Sequence, residues 1–189
     1  MHKAIKILLL SSLFFNISAG AFGPIYAIFV EKIGGDLLTA STSWAIYSVV
    51  IGVLTIVFGK FETKWNQRKL IVLGYALEAF INLGYIFIRT PFHLVMLQAA
   101  LGVVIAFHNP AWDSIFSKSI DKGKETEDWG YWEGSTRIIA GIGAIIGGAI
   151  VTVFGFRTLF LLMAADSAIS AGFATLLLRK NTWKNFAKI

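Results

Sequence analysis

The sequence predicts an all-α membrane protein with six transmembrane helices. Three observations predict it. Of 189 residues, 56% are hydrophobic and only 15% charged; the mean hydropathy is +0.70; and the cations sit at the ends of apolar runs. A soluble domain of this length has too little interior to hide so much apolar side chain. With ~20 residues per pass of a ~30 Å hydrocarbon core, and loops and ends set aside, about six passes fit.

The expected spans are residues 5–30, 38–59, 70–88, 92–118, 129–154 and 158–178, making a membrane domain over 1–180 and a cytoplasmic tail at 181–189. The opening, Met1-His2-Lys3 and then Ile7 to Phe15, imitates a signal peptide. Its apolar run continues to Val30, too long for one, so a retained first helix is expected. In lipid the backbone must satisfy its own hydrogen bonds, and runs of this length do so as helices.

Lys and Arg set the expected orientation. Thirteen fall on one side, in groups around Lys3, Lys60 to Lys69, Lys118 to Lys124 and Arg179 to Lys188. Three fall on the other, Lys32, Arg89 and Arg157, and Arg137 lies within a span. The imbalance places both termini in the cytoplasm of a multi-pass protein of the plasma or inner membrane. The net charge of +6 is therefore topological and implies no nucleic-acid partner. With no cysteine and with His2, His93 and His108 far apart, no metal site or cofactor is expected.

Internal similarity relates the first and fourth spans at an offset of 86 residues, Pro24-Ile25-Tyr26 against Pro110-Ala111-Trp112. Two successive three-helix units have opposite topology, so the pattern predicts an inverted 3+3 repeat. Small residues mark the second and fifth spans. At 100° per residue, Ser41, Ser48, Gly52 and Gly59 fall on one stripe about 40° wide, and so do Gly130, Gly134, Gly141 and Gly148. Such stripes let helix backbones approach closely. They serve either packing within the six-helix bundle or an interface to a second bundle.

The loop after the second span reads Gly59-Lys60-Phe61-Glu62-Thr63-Lys64-Trp65-Asn66-Gln67-Arg68-Lys69. It resembles the signature loop of major facilitator superfamily transporters. Gly59, Lys64, Arg68 and Lys69 match, Thr63 replaces the usual Asp, and Asn66 replaces the turn Gly. Loss of the Asp breaks the usual charge relay unless Glu62 takes its place. Gly143-Ala144-Ile145-Ile146-Gly147-Gly148 is similar to the exporter signature of the family, with Ala144 for Pro, and Phe154-Gly155-Phe156-Arg157 to the usual join to a sixth helix.

The resemblance covers nearly the whole chain and implies one six-helix half of a twelve-helix body. It also implies that the first and fourth helices line the solute path, while the second and fifth face the other half. The expected partner is a second copy of the chain or a separate six-helix half. The glycines of the fifth span, Gly143, Gly147 and Gly148 included, count among the interface candidates. The resemblance further implies that Asp113 partners the loop cations, here Lys64 or Arg68.

Charge within a bilayer costs ~2.5–3.5 kcal/mol per group even on the lenient insertion scale, so the buried polar residues need roles. Glu133 and Arg137 stand i, i+4 in the favourable order. They serve as a coupling or anion-binding pair in the path, or as a structural ion pair. Glu78 and Asp166, near the middles of the third and sixth spans, suit proton carriers or neutral acids hydrogen-bonded within the bundle. His108, Asn109, Pro110 and Trp112 form a polar-aromatic break, with His108 either titrating or bonded between packed helices. Asn16 and Tyr26 are path candidates on the first span. For Asn16 the alternative is an interhelical hydrogen bond, and for Tyr26 an interfacial or packing aromatic.

The leading functional expectation is secondary transport of a small solute by alternating access, tilted by the signatures toward drug-like efflux. Proton coupling rests on His108, Glu133, Glu78 and Asp166. A non-transporting membrane subunit is the alternative. An enzyme is not expected, because the sequence has no Gly-x-Ser-x-Gly and no suitably placed His.

Overall fold

The computed structural model describes residues 3–60 and 65–179. Glu62 and Lys64 of the signature loop and the 181–189 tail lie outside the described residues. Helix α1 (Lys3–Phe22) passes through a single 3-10 turn, Gly23–Ile25, into the short α2 (Tyr26–Lys32). Then follow α3 (Leu37–Gly59), α4 (Gln67–Gly84, extended by a 3-10 turn at Tyr85–Phe87), α5 (Pro91–Ser119) and α6 (Glu125–Ala174, extended at Thr175–Leu178). Five helical stretches are long and apolar enough to cross a membrane.

The last of these, Glu125–Leu178, has 54 residues. At 1.5 Å per residue a straight helix of that length would far exceed a ~30 Å hydrocarbon core. Gly155 resolves this: its φ of 79° and ψ of 171° are non-helical, a conformation open to glycine because it has no Cβ. Both arms lie against α1. Gly143 and Gly147 of the first arm meet Ile17 and Ala21, while Phe160 and Asp166 of the second meet Phe22 and Ser18. The chain therefore doubles back at Gly155.

Pro24 and Pro110 differ in effect. Pro24 sits in the 3-10 turn between α1 and α2, which together make one candidate span of 30 residues. By contrast, α5 runs unbroken through Pro110. Proline there deletes only the bond to the carbonyl of residue 106, and the turns on either side persist in close contact with their neighbours.

Helix starts follow ordinary capping chemistry. The Asp36 carboxylate accepts from Thr39 N at 2.7 Å and from the Thr39 hydroxyl at 2.7 Å. Those bonds hold its carboxyl below the usual range. Asn66 and Thr90 cap α4 and α5 in the same way.

The buried apolar residues form two clusters, one at each end of the bundle. Phe22, Phe29, Tyr85, Phe156 and Phe160 dominate the end near the α2–α3 connection. Leu8, Ile71, Trp112, Phe116 and Leu177 dominate the other. Several buried polar side chains lie between them: Ser12, Asn16 and Ser18 on α1, Glu78 and Asn82 on α4, Gln98 on α5 and Ser167 on α6.

Glycine sets the distance between α1 and α6. A methyl group at Gly20 would strike the Ala140 backbone, and one at Gly147 the Ala21 backbone. On α5, a Cβ at Gly102 would stand 3.0 Å from the Tyr47 carbonyl of α3. At Gly148, one residue from Gly147, a Cβ meets nothing within 4 Å. Gly147→Ala is therefore expected to destabilise the bundle by about 1–3 kcal/mol through overpacking. Gly148→Ala should be neutral or stabilise by up to about 1 kcal/mol through helix propensity. Unfolding titrations of the two variants in detergent check this; equal effects would contradict the packing.

Candidate functional site

A cavity of about 120 Å³ opens among α1, α2, α3, α4, α5 and the second arm of α6. Its wall is mainly aromatic, with Phe22, Tyr26, Trp44, Tyr47 and Tyr85, and its polar groups come from Ser18, Glu78, Asn82 and Gln98.

One edge is a directed hydrogen-bond chain. The Tyr85 hydroxyl donates to Gln98 Oε1 at 3.2 Å. Gln98 Nε2 donates to the Tyr26 hydroxyl at 2.8 Å. Tyr26 and Ser43 are 2.6 Å apart, and the Ser43 hydroxyl reaches the Thr39 carbonyl at 2.7 Å. A carbonyl only accepts, so Ser43 donates to it and accepts from the Tyr26 hydroxyl in turn. Four helical segments are tied together through residues whose polar atoms would otherwise be stranded at depth.

On the other side, Ser18 Oγ donates to Asp166 Oδ2 at 2.8 Å, and Asn82 Nδ2 to Ser167 Oγ at 2.9 Å. Glu78 stands apart. It is 4% exposed, lines the cavity, and its Oε2 has no hydrogen-bond partner. The site thus joins a closed polar network to one uncommitted carboxyl oxygen within an aromatic wall. Such a wall accepts an apolar body, and the acid addresses a proton or a cationic group.

The expected site residues are distributed unevenly around this cavity. Tyr26 and Glu78 line it, and Asp166 approaches through Ser18. Asn16 is buried but donates to the Ser12 carbonyl of its own helix at 2.7 Å. His108 packs against Gly74 and Tyr75, and its Nδ1 bonds the Val104 carbonyl at 3.0 Å. Trp112 stacks on Phe116 and meets Trp132 at a tilt. Asn109 and Asp113 are exposed on α5.

At the signature loop, Gly59 and Lys69 are exposed and Arg68 is half-buried. Gln67 ties this segment to α5 through Ser114 at 3.0 Å. Glu133 and Arg137 pair at 3.9 Å on an open face of α6, with side chains 61% and 84% exposed. Ser41, Ser48, Gly52, Gly130, Gly134 and Gly141 are likewise exposed, while Gly143 and Gly147 are buried against α1. Sequence reasoning missed Gln98, Asn82, Tyr85 and Ser43. A lone amide inside an apolar run was the available signal for the first two.

Comparison with known proteins follows this geometry. The Major Facilitator Superfamily model matches residues 8–185. The chain belongs to that superfamily. Among curated relatives it is similar to the Multidrug resistance protein MdtG of Klebsiella pneumoniae (strain 342), 21% identical over 182 residues, 94% of this chain and 44% of the relative. It is also similar to the protein of that name from Yersinia enterocolitica, 23% identical over 167 residues, 86% of this chain and 40% of the relative. The chain thus spans less than half the length of these relatives. Neither the superfamily's name nor the multidrug resistance name of the relatives describes an enzyme.

The Tyr26 chain carries its own test. Tyr26→Phe removes the acceptor of Gln98 and should cost about 1–3 kcal/mol, the penalty for a stranded buried donor. Tyr131→Phe, at a 60% exposed position, should stay within about 0.5 kcal/mol. Thermal unfolding in detergent measures both.

Proposed function

We propose that this chain is one six-helix half of a secondary transporter that moves a small drug-like solute by alternating access between two halves. The six passes are α1 with α2, α3, α4, α5 and the two arms of α6. The packing supports an inverted 3+3 relation: α1 seats on the first arm of α6 as α5 seats on α3, each with a glycine at the approach, Gly20 and Gly102. The superfamily membership and the multidrug names of the relatives support transport and the efflux reading.

The observation that carries the two-half assembly is the outward face of α6. Arg137 and Glu133 stand exposed where the apolar run of the first arm begins, Arg137 on the stripe of Gly130, Gly134 and Gly141. An ion pair turned to lipid is costly, and glycines gain nothing from acyl chains. A second helix bundle, or a path between bundles, accommodates both. The matching stripe on α3, where only 6% of the apolar window is buried, supports the same role. The second half is a copy of this chain or a different six-helix unit, with both termini of each half in the cytoplasm. Glu78 and its cavity supply the group that a coupling proton or a solute amine would meet.

Native mass measurement in mild detergent is expected to give twice the 20.8 kDa chain mass, or that mass plus one second half. Monomer alone, with no other chain co-purifying, would contradict the assembly. In liposomes loaded with a fluorescent drug-like solute, Arg137→Gln should lower flux by ~tenfold or more, equivalent to about 1.4 kcal/mol. Lys122→Gln, in an exposed connection, should leave it unchanged.

A further inference from the structure

The three cations that the sequence leaves on the sparsely charged side meet at one place. Lys32 ends α2, Arg89 lies between α4 and α5, and Arg157 follows the Gly155 reversal, yet all three line a single cavity of about 370 Å³. Its floor is aromatic, with Phe29, Tyr85 and Phe156. Lys32 Nζ stands 5.6 Å from the centre of the Phe156 ring, which holds that cation over the cavity.

Among the described residues none of the three forms an ion pair. The acids of this end, Glu31 and Asp36, do not line the cavity, and Asp36 is engaged in capping α3. Three like charges gathered without a counterion repel one another, so their convergence needs an anion to offset it. Two of the three are guanidiniums, whose planar fork matches phosphate oxygens in pairs. Ile86 and Ile88 line the cavity, and Phe87 between them is 75% exposed, so an apolar track leads away from the charged mouth.

We propose that Lys32, Arg89 and Arg157 form a binding site for a phosphate monoanion or diester, presented by an anionic phospholipid headgroup or by a free phosphate. The site lies at the end of the bundle remote from the start of α1. It adjoins the Glu78 cavity through the shared wall residue Tyr85 but contains none of its polar side chains Ser18, Glu78, Asn82 and Gln98, and it does not depend on the transported solute.

The test uses the whole chain in detergent, followed by native mass spectrometry after addition of phosphatidylglycerol or phosphatidylcholine. Phosphatidylglycerol is expected to remain bound ~tenfold more than phosphatidylcholine, a difference of about 1.4 kcal/mol. The triple variant Lys32→Gln, Arg89→Gln, Arg157→Gln should lose that preference, while Lys122→Gln keeps it. The three positions are exposed, and circular dichroism checks that the triple variant stays helical. Inorganic phosphate at millimolar concentration separates the sources. Competition with the lipid assigns the site to free phosphate, and failure to compete assigns it to the headgroup with its chains. A wild-type protein with no preference for either phosphate species, or a triple variant that keeps the preference, would overturn the proposal.

Discussion

Close backbone approach between helices is the constraint on which the rest of this structure depends. In a bilayer no hydrophobic effect drives one helix against another, so contact must come from shape and from hydrogen bonds. Gly20, Gly143 and Gly147 let α1 and α6 touch backbone to backbone, and Gly102 does the same for α5 on α3. Hydrogen bonds from short side chains add to that contact, Ser18 reaching the second arm of α6 and Ser43 reaching α2. Replace the inward glycines with larger residues and the polar layer at mid-depth would lose its partners.

The same logic separates two kinds of glycine on one helix. Adjacent residues differ by 100° around the axis, so Gly147 faces α1 while Gly148 faces away. The inward set completes the half, and the outward set is left without a neighbour in the chain. An exposed ion pair on that outward face makes lipid a poor occupant. Function in this reading comes from incompleteness: the half folds by its inward faces and works through its outward ones.

The all-helical, multi-span character was legible in the sequence, because span length follows directly from bilayer thickness. The reversal at Gly155 was legible too, since Phe154-Gly155-Phe156-Arg157 interrupts an otherwise continuous apolar run. The effect of each proline was not legible, because a missing hydrogen bond breaks a helix only where neighbours fail to hold it. Pro24 and Pro110 look alike in sequence and differ in surroundings. The polar network was hidden for another reason. The angular position of Gln98 on its own helix can be read from sequence, but its meeting with Tyr26 and Tyr85 depends on the relative height of three helices. For Arg137 the reverse held, since its place on the glycine stripe is a property of one helix alone.

The most direct test of the central claim asks what covers the outward stripes. The chain has no cysteine, so single cysteines at Gly52 and Gly141 can carry nitroxide labels, with Phe80 on α4, 71% exposed, as a reference position. Oxygen dissolved in the bilayer reports lipid contact. The account predicts low oxygen accessibility at positions 52 and 141 in native membranes and high accessibility at position 80. Equal accessibility at all three positions would mean that the stripes face lipid, which contradicts the account.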